Sequence, residues 1–211
     1  MKKLLLGFLF SFFIHFSSAQ TDKPTDYLSS RFHKERREAL RKLMPKNTVA
    51  VFFGNPERNR SNDVDYIYHQ DPNFYYLTGY KEPNCVLVLF SEEQKNKDGK
   101  LINEILYVQE KDPKAEQWTG ARLGVDGAKS DLGLENVYNG KDFLKSGINF
   151  QNFDTVFFTD FQNDIRDSKR DEASLFKLVA SFKDQIVYNL KRKKKNETSF
   201  QKEVDGVKQI N

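Results

Sequence analysis

A chain of 211 residues, 38% of them hydrophobic, has room for one ordinary domain or for a domain and part of a second. Its 34 basic and 30 acidic residues nearly cancel, and the dense basic run at 191–195 is local, which excludes a nucleic-acid binder built on net charge. A single cysteine, Cys85, excludes an intramolecular disulfide, so a folded core has to hold the chain together.

Residues 1–19 have the pattern of a signal peptide. Lys2 and Lys3 form a basic start, Leu4 to Phe16 an apolar run, and Ser17-Ser18-Ala19 the small residues a signal peptidase needs. The apolar run is shorter than the ~20 residues a spanning helix requires. Cleavage before Gln20 and export to the periplasm or beyond are therefore expected. Those nineteen residues carry two lysines and no acid, so the remainder has a net charge of about +2.

After a polar leader, Ser29 or Ser30 offers an N-cap for a helix reaching Met44, and Pro45 ends it. Phe32, Ala39, Leu40 and Leu43 are expected inward, with His33 on the helix surface and Arg37 and Arg41 facing water. Thr48 to Phe53 is an almost continuous apolar run, as in a strand covered on both faces. Residues 54–85 combine many aromatics with Asp, Asn and Arg, a mixture unsuited to a plain solvated loop. Cys85 to Phe90 is a second strand of the buried kind, in which Cys85 is a small buried hydrophobe rather than a nucleophile. Asp98-Gly99 marks a turn, and Leu101 to Gln109 returns as the partner strand of a hairpin.

Asp112-Pro113 opens a short helix holding Trp118, and Gly120, Gly124 and Gly127 then punctuate a tight connection. That spacing is neither GxGxxG after a strand nor Gly-Lys-Ser/Thr, so it is not a nucleotide loop. Short helices are expected at 130–134 and 141–145 and a fourth buried strand at 155–159. A helix at 171–182 follows, with Leu175, Leu178, Val179 and Phe182 inward, then a brief strand at Ile186-Val187. The alternation predicts an α/β domain over residues 27–190, a mixed β-sheet flanked by helices. Residues 191–211 read as a basic linker and the start of a helix, with Phe200, Val204, Val207 and Ile210 at intervals of three and four that call for a partner surface.

Two blocks carry a family resemblance. Residues 58–89, beginning RNRSNDVDY and continuing YHQDPNFYYLTGYKEPNCVLVL, and residues 116–138, EQWTGARLGVDGAKSDLGLENVY, resemble the N-terminal domain of Xaa-Pro aminopeptidases. In this family, aminopeptidase P of the creatinase group, that domain precedes a catalytic domain of the pita-bread type. The catalytic domain holds a manganese pair on two Asp, one His and two Glu, and releases the N-terminal residue of peptides with proline second. Paired metals activate water and polarise the scissile carbonyl. Beyond residue 19 this chain has only His33 and His69, and His69 reads as a polar loop residue, so no metal site or catalytic residue is expected here.

The resemblance therefore implies the non-catalytic domain of an exported enzyme, with the pita-bread domain absent from these 211 residues. It would aid homo-oligomerisation, shape substrate access, and have the missing catalytic domain or a complementary chain as partner, besides the peptide substrate. By the same resemblance Asp63 meets the substrate's α-amino end, and Trp118 is an apolar wall for the substrate across a subunit interface. The alternatives for these two are an Asx-type turn cap beside Asn62 and ordinary core packing. Arg58, Arg60 and Asp65 are expected to form a local ion-pair network. The competing reading of the whole is a stand-alone peptide-binding or interaction module without peptidase activity.

Overall fold

The two apolar runs on either side of the aromatic-polar stretch become neighbours at the centre of a sheet, as cover on both faces requires. In the computed structural model, residues 28–194 are described except 97, 160, 163 and 168–170, with the backbone alone from 187 onward. The signal-peptide pattern at 1–19 and the helical pattern beyond residue 194 lie outside the described residues. The chain begins with α1 (Ser30–Leu43), β1 (Thr48–Phe53), β2 (Asn59–Ser61), β3 (Val64–Asp65) and α2 (Pro72–Thr78). There follow β4 (Val86–Lys95), β5 (Leu101–Val108), α3 (Pro113–Thr119), α4 (Gly124–Leu132), β6 (Val137–Asn139) and α5 (Gly140–Phe143). A 3-10 turn (Phe150–Asn152), β7 (Thr155–Phe158) and α6 (Leu175–Lys194) complete it.

Five strands form one mixed sheet in the order β6-β5-β4-β1-β7, and β2 and β3 form a separate small hairpin. β4 is antiparallel to both β1 and β5, with Val51 opposite Val88 and Val88 opposite Ile105. β6 is parallel to β5, and β7 to β1. The carboxyl ends of β1, β5, β6 and β7 therefore share one edge with the amino end of β4.

Alternation along the strands divides the core into two layers. Val49, Val51, Phe53, Val86, Val88 and Tyr107 face Phe143, Phe150, Leu178 and Phe182 from α5, the 3-10 turn and α6. Ala50, Phe52, Leu87, Leu89, Leu106 and Val108 face Phe74, Leu77, Ala128 and Leu134 on the side of α2 and α4. The predicted mixed sheet flanked by helices is what forms.

Several local expectations change. α1 is capped by Ser29, whose Oγ accepts the Phe32 N–H, but its buried residues are His33 and Arg37, while Leu43 is 82% exposed. Polar groups can face inward because each has a partner: His33 Nδ1 donates to the Tyr76 carbonyl at 2.9 Å. Arg37 donates to both Glu104 oxygens, at 2.9 and 3.0 Å, and to the Leu77 carbonyl at 2.8 Å. Arg41 adds a further bond to Glu104 at 2.7 Å. Burial acts to raise the Glu104 carboxyl, but its bonds and attraction to Arg37 and Arg41 outweigh it and hold the group below its ordinary value.

The segment 155–158 is a half-buried edge strand rather than a fully buried one. Ile186 and Val187 belong to α6, which starts at Leu175 and runs without a break to Lys194, because nothing at 183–186 punctuates the helix. α4 begins at Gly124, within the glycine-rich connection, rather than at Ser130. Helix α2, unforeseen in the sequence, starts from Asp71-Pro72, where Asp71 Oδ1 accepts the Phe74 N–H at 2.8 Å.

Candidate functional site

The shared sheet edge opens into a cleft of about 1010 Å³. Open α/β sheets carry ligands at the carboxyl ends of their strands, and this cleft occupies that position. Its floor comes from three connections. Glu57 follows β1, Asn84 precedes β4, and Ser174 precedes α6. Asn84 takes a positive φ of 54°; its Nδ2 donates to Glu57 Oε2 at 3.3 Å, while its Oδ1 accepts the first N–H of α6, that of Leu175, at 2.7 Å. Glu57 is exposed as a whole residue, yet its carboxyl end rests on this floor. Burial pushes that carboxyl above its ordinary value against the bond from Asn84, with Asp65 and Asp171 adding repulsion.

One wall is the glycine-rich connection, fixed by Glu82 just before β4. Glu82 Oε1 accepts the Leu123 N–H at 2.7 Å and its Oε2 accepts the Tyr80 hydroxyl at 2.8 Å. Arg122 donates to the Glu110 carbonyl at 3.0 Å, and Lys141 pairs with the Glu110 carboxylate at 2.6 Å. Gly124 has φ +64° and an added Cβ would lie 2.7 Å from Lys111 Cγ, so the glycines serve chain geometry rather than a phosphate cradle.

Trp118 stands at the cleft on α3 and is 89% exposed, which corrects the core-packing alternative. α3 is a two-turn helix capped by Asp112 with no buried residue of its own, so it has no core into which to turn the indole. Asp63 lies exposed in the β2–β3 turn beside Asn62, which has φ 50°. The bonds that close this turn come from Asn59, whose Nδ2 donates to the Asn62 and Val64 carbonyls and to Asp65 Oδ1. Asn59 and Asp65 line the cleft; Asp63 is not among its lining residues. Trp118 thus lines the cleft, whereas Asp63 lies outside the lining, in the turn between Asn59 and Asp65.

Arg58 pairs with Asp164, beyond β7, at 2.6 Å rather than with Asp65, and its guanidinium holds Asp164 below the usual carboxylate range. The local network expected of Arg58, Arg60 and Asp65 is thereby replaced by a tie across the fold. Cys85 is buried as expected, and burial raises its thiol well above the ordinary value despite a bond from Gln70. His33 is buried on α1 instead of lying on the surface, and His69 is exposed in a loop. Among the described residues no group of three or more His, Cys, Asp or Glu is arranged to hold a metal ion. No helix among them is long and apolar enough to cross a membrane.

Sequence inspection did not single out Glu57, Asn84 or Ser174. The only available signal was Asn84 between Pro83 and the apolar run, a turn residue at a strand entry, and its partners lie 27 and 91 positions away.

Comparison with known proteins bears on the whole assembly. The family described as Aminopeptidase P, N-terminal domain, matches residues 33–150. An Xaa-Pro aminopeptidase of Haemophilus influenzae is 36% identical over 110 residues, covering 52% of this chain and 24% of that protein. Intermediate cleaving peptidase 55 of Schizosaccharomyces pombe is 38% identical over 120 residues, covering 57% and 24%. The solved structure of aminopeptidase P from E. coli with the inhibitor Pro-Leu superposes with a TM-score of 0.57 at 29% identity, over 74% of this chain and 33% of that one. The chain spans about a quarter of the length of these curated relatives. A matched segment that takes in β1 to β6 and the Trp118 helix alike places this chain in the aminopeptidase P N-terminal domain family.

Proposed function

We propose that this chain acts as the non-catalytic N-terminal domain of an exported, manganese-dependent Xaa-Pro aminopeptidase, an enzyme releasing the first residue from peptides with proline second. The observation that carries this reading is Trp118, a large apolar side chain exposed at the mouth of a cleft rather than packed in the core. Exposed aromatic surface beside a cleft is suited to contact with a second body. Tyr66 and Ile67, 59% and 84% exposed, extend apolar surface along the segment after the hairpin.

In this role the domain aids subunit association and narrows access to the catalytic site. Trp118 gives the peptide an apolar wall, and Asp63 meets the peptide's α-ammonium by charge pairing. A manganese pair would supply an activated water and a polarised carbonyl. The described residues do not fit such a pair, since they offer no ligand group, and no step through it is assigned to them. The basic, apolar and small residues of the leader support export.

The test is a chimera in which this chain replaces the matching quarter of the E. coli Xaa-Pro aminopeptidase, assayed on an Xaa-Pro peptide with manganese. Turnover by the chimera, lowered in kcat/KM by Trp118→Ala and by Asp63→Asn, is the expected result. Unchanged kinetics in both variants would favour a stand-alone binding or interaction module and overturn the proposal. Terminal sequencing of the exported product reads the leader separately, with Gln20 expected first.

A further inference from the structure

The cleft is electrostatically one-sided. Eight acidic and four basic residues line it. Lys141 is already held by Glu110, and Arg122 by the Glu110 carbonyl. Among the described residues, Glu57, Asp65 and Asp171 have no ion-pair partner. They lie close enough for Asp65 and Asp171 to act on Glu57. Arg122 offsets this repulsion only in part, so the carboxylates carry a standing electrostatic cost, relieved by a cation that enters among them.

A second, independent feature points to the same place. Ser174 lines the cleft and is only 3% exposed, yet its Oγ has no hydrogen-bond partner. A serine before a helix ordinarily caps it. Here Asn84 accepts the first helical N–H, that of Leu175, while the Ser174 hydroxyl makes no capping bond and stays uncommitted near the Glu57–Asn84 pair. A buried hydroxyl without a partner costs stability and calls for a group to complete it.

We propose that Glu57 and Ser174, positioned by Asn84, recognise the positively charged side chain of a bound peptide, a guanidinium or an ammonium. The inference rests on the reading of this cleft as peptide-facing. The described acidic groups do not converge as a metal-ligand set, so the arrangement suits an organic cation that brings its own N–H donors rather than a bare metal ion. Trp118, on the same cleft, offers a surface for the aliphatic stem of such a side chain. The site differs from the contact proposed for Asp63, which concerns the α-ammonium and lies outside the cleft lining.

Trp118 is the chain's one tryptophan and therefore its own reporter. The 211-residue chain is titrated with N-acetyl-arginyl-prolinamide, N-acetyl-norleucyl-prolinamide and N-acetyl-glutamyl-prolinamide, by Trp118 emission and by calorimetry. Acetylation removes the α-ammonium, so the Asp63 contact is silent. The arginyl probe is expected to bind at least about tenfold more tightly than the norleucyl one, the effect of one charged hydrogen bond, with the glutamyl probe weakest. Glu57→Gln, which can still accept from Asn84, is expected to erase this preference; Ser174→Ala is expected to weaken the arginyl probe alone. Equal affinities for the arginyl and norleucyl probes, an undiminished preference in Glu57→Gln, or no heat or emission change with the arginyl probe would each overturn the inference. A chimera that still responds to Trp118→Ala under any of those outcomes leaves the broader function standing.

Discussion

Replacing Glu104 by alanine tests the claim that polar residues, rather than an apolar stripe, fasten α1 to the fold. The Arg37 side chain has no solvent exposure and that of Glu104 only 13%. Two of Arg37's bonds end on the Glu104 carboxylate, and Arg41 shares it at 2.7 Å. Removing the carboxylate leaves a fully buried guanidinium with unpaired donors, since its remaining bond to the Leu77 carbonyl satisfies only one of them. Breaking a buried pair in this way costs about 3–5 kcal/mol. For a domain of this size each kcal/mol moves Tm by roughly 2–4 °C, so Glu104→Ala should unfold about 6–20 °C lower. Far-UV circular dichroism in urea and on heating is the appropriate probe, because exposed Trp118 senses little of the core. The double variant Arg37→Met, Glu104→Leu should recover most of the loss, as matched apolar replacement of a buried pair is often neutral or stabilising, and Arg41, 13% exposed, can turn to water. A loss below about 1 kcal/mol in the single variant, or a double variant as unstable as the single, would refute the reasoning.

The same carboxylate sets a pH dependence. Its folded-state value lies below the ordinary 4.5, so its stabilisation is fully present above that value and is lost as pH falls through the lower folded one. Tm measured downward from neutral pH should fall below about 4.5, and more shallowly in Glu104→Gln. Gly54→Ala places a Cβ 2.6 Å from Cys85 Sγ and 3.0 Å from Gln70 Oε1. It should cost about 1–3 kcal/mol in urea unfolding, with partial recovery when Cys85→Ala is added. Trp118→Ala, by contrast, should leave the unfolding free energy of the chain within about 0.5 kcal/mol, as for an exposed residue without structural duty; a core-sized loss would mean that the indole packs.

Much of the sheet could be read from residue order because burial on both faces leaves a local mark. Val49 to Phe53 and Val86 to Phe90 are runs that nothing but a covered strand explains, and their hairpin partner follows a glycine turn. The inward face of α1 does not follow from hydrophobicity, because Arg37 meets a carboxylate that lies 67 positions later in the chain. The β-propensity of Ile186 and Val187 suggests a strand, but it yields to the continuing helix packed through Phe182. The Trp118 block was recognisable, but exposure was not, since a lone tryptophan looks the same in sequence whether buried or displayed.

The direction of β4 explains why the cleft floor in particular escaped notice. Because β4 runs against its neighbours, its amino end, and with it Asn84, meets the carboxyl ends of β1, β5 and β6. One side chain at that junction can then hold Glu57 from the β1 exit and the first N–H of α6 together. An all-parallel sheet would present a strand's carboxyl end at this place, and the residue bridging the two would have to come from elsewhere. The antiparallel centre thus does more than bury apolar runs: it delivers an amide to the point where a helix start, the Glu57 carboxyl and an unpartnered hydroxyl meet. The chemistry of the cleft floor is a product of topology, while Trp118 on its lining and Asp63 in the neighbouring turn are carried by short local motifs, which is why these two alone are legible along the chain.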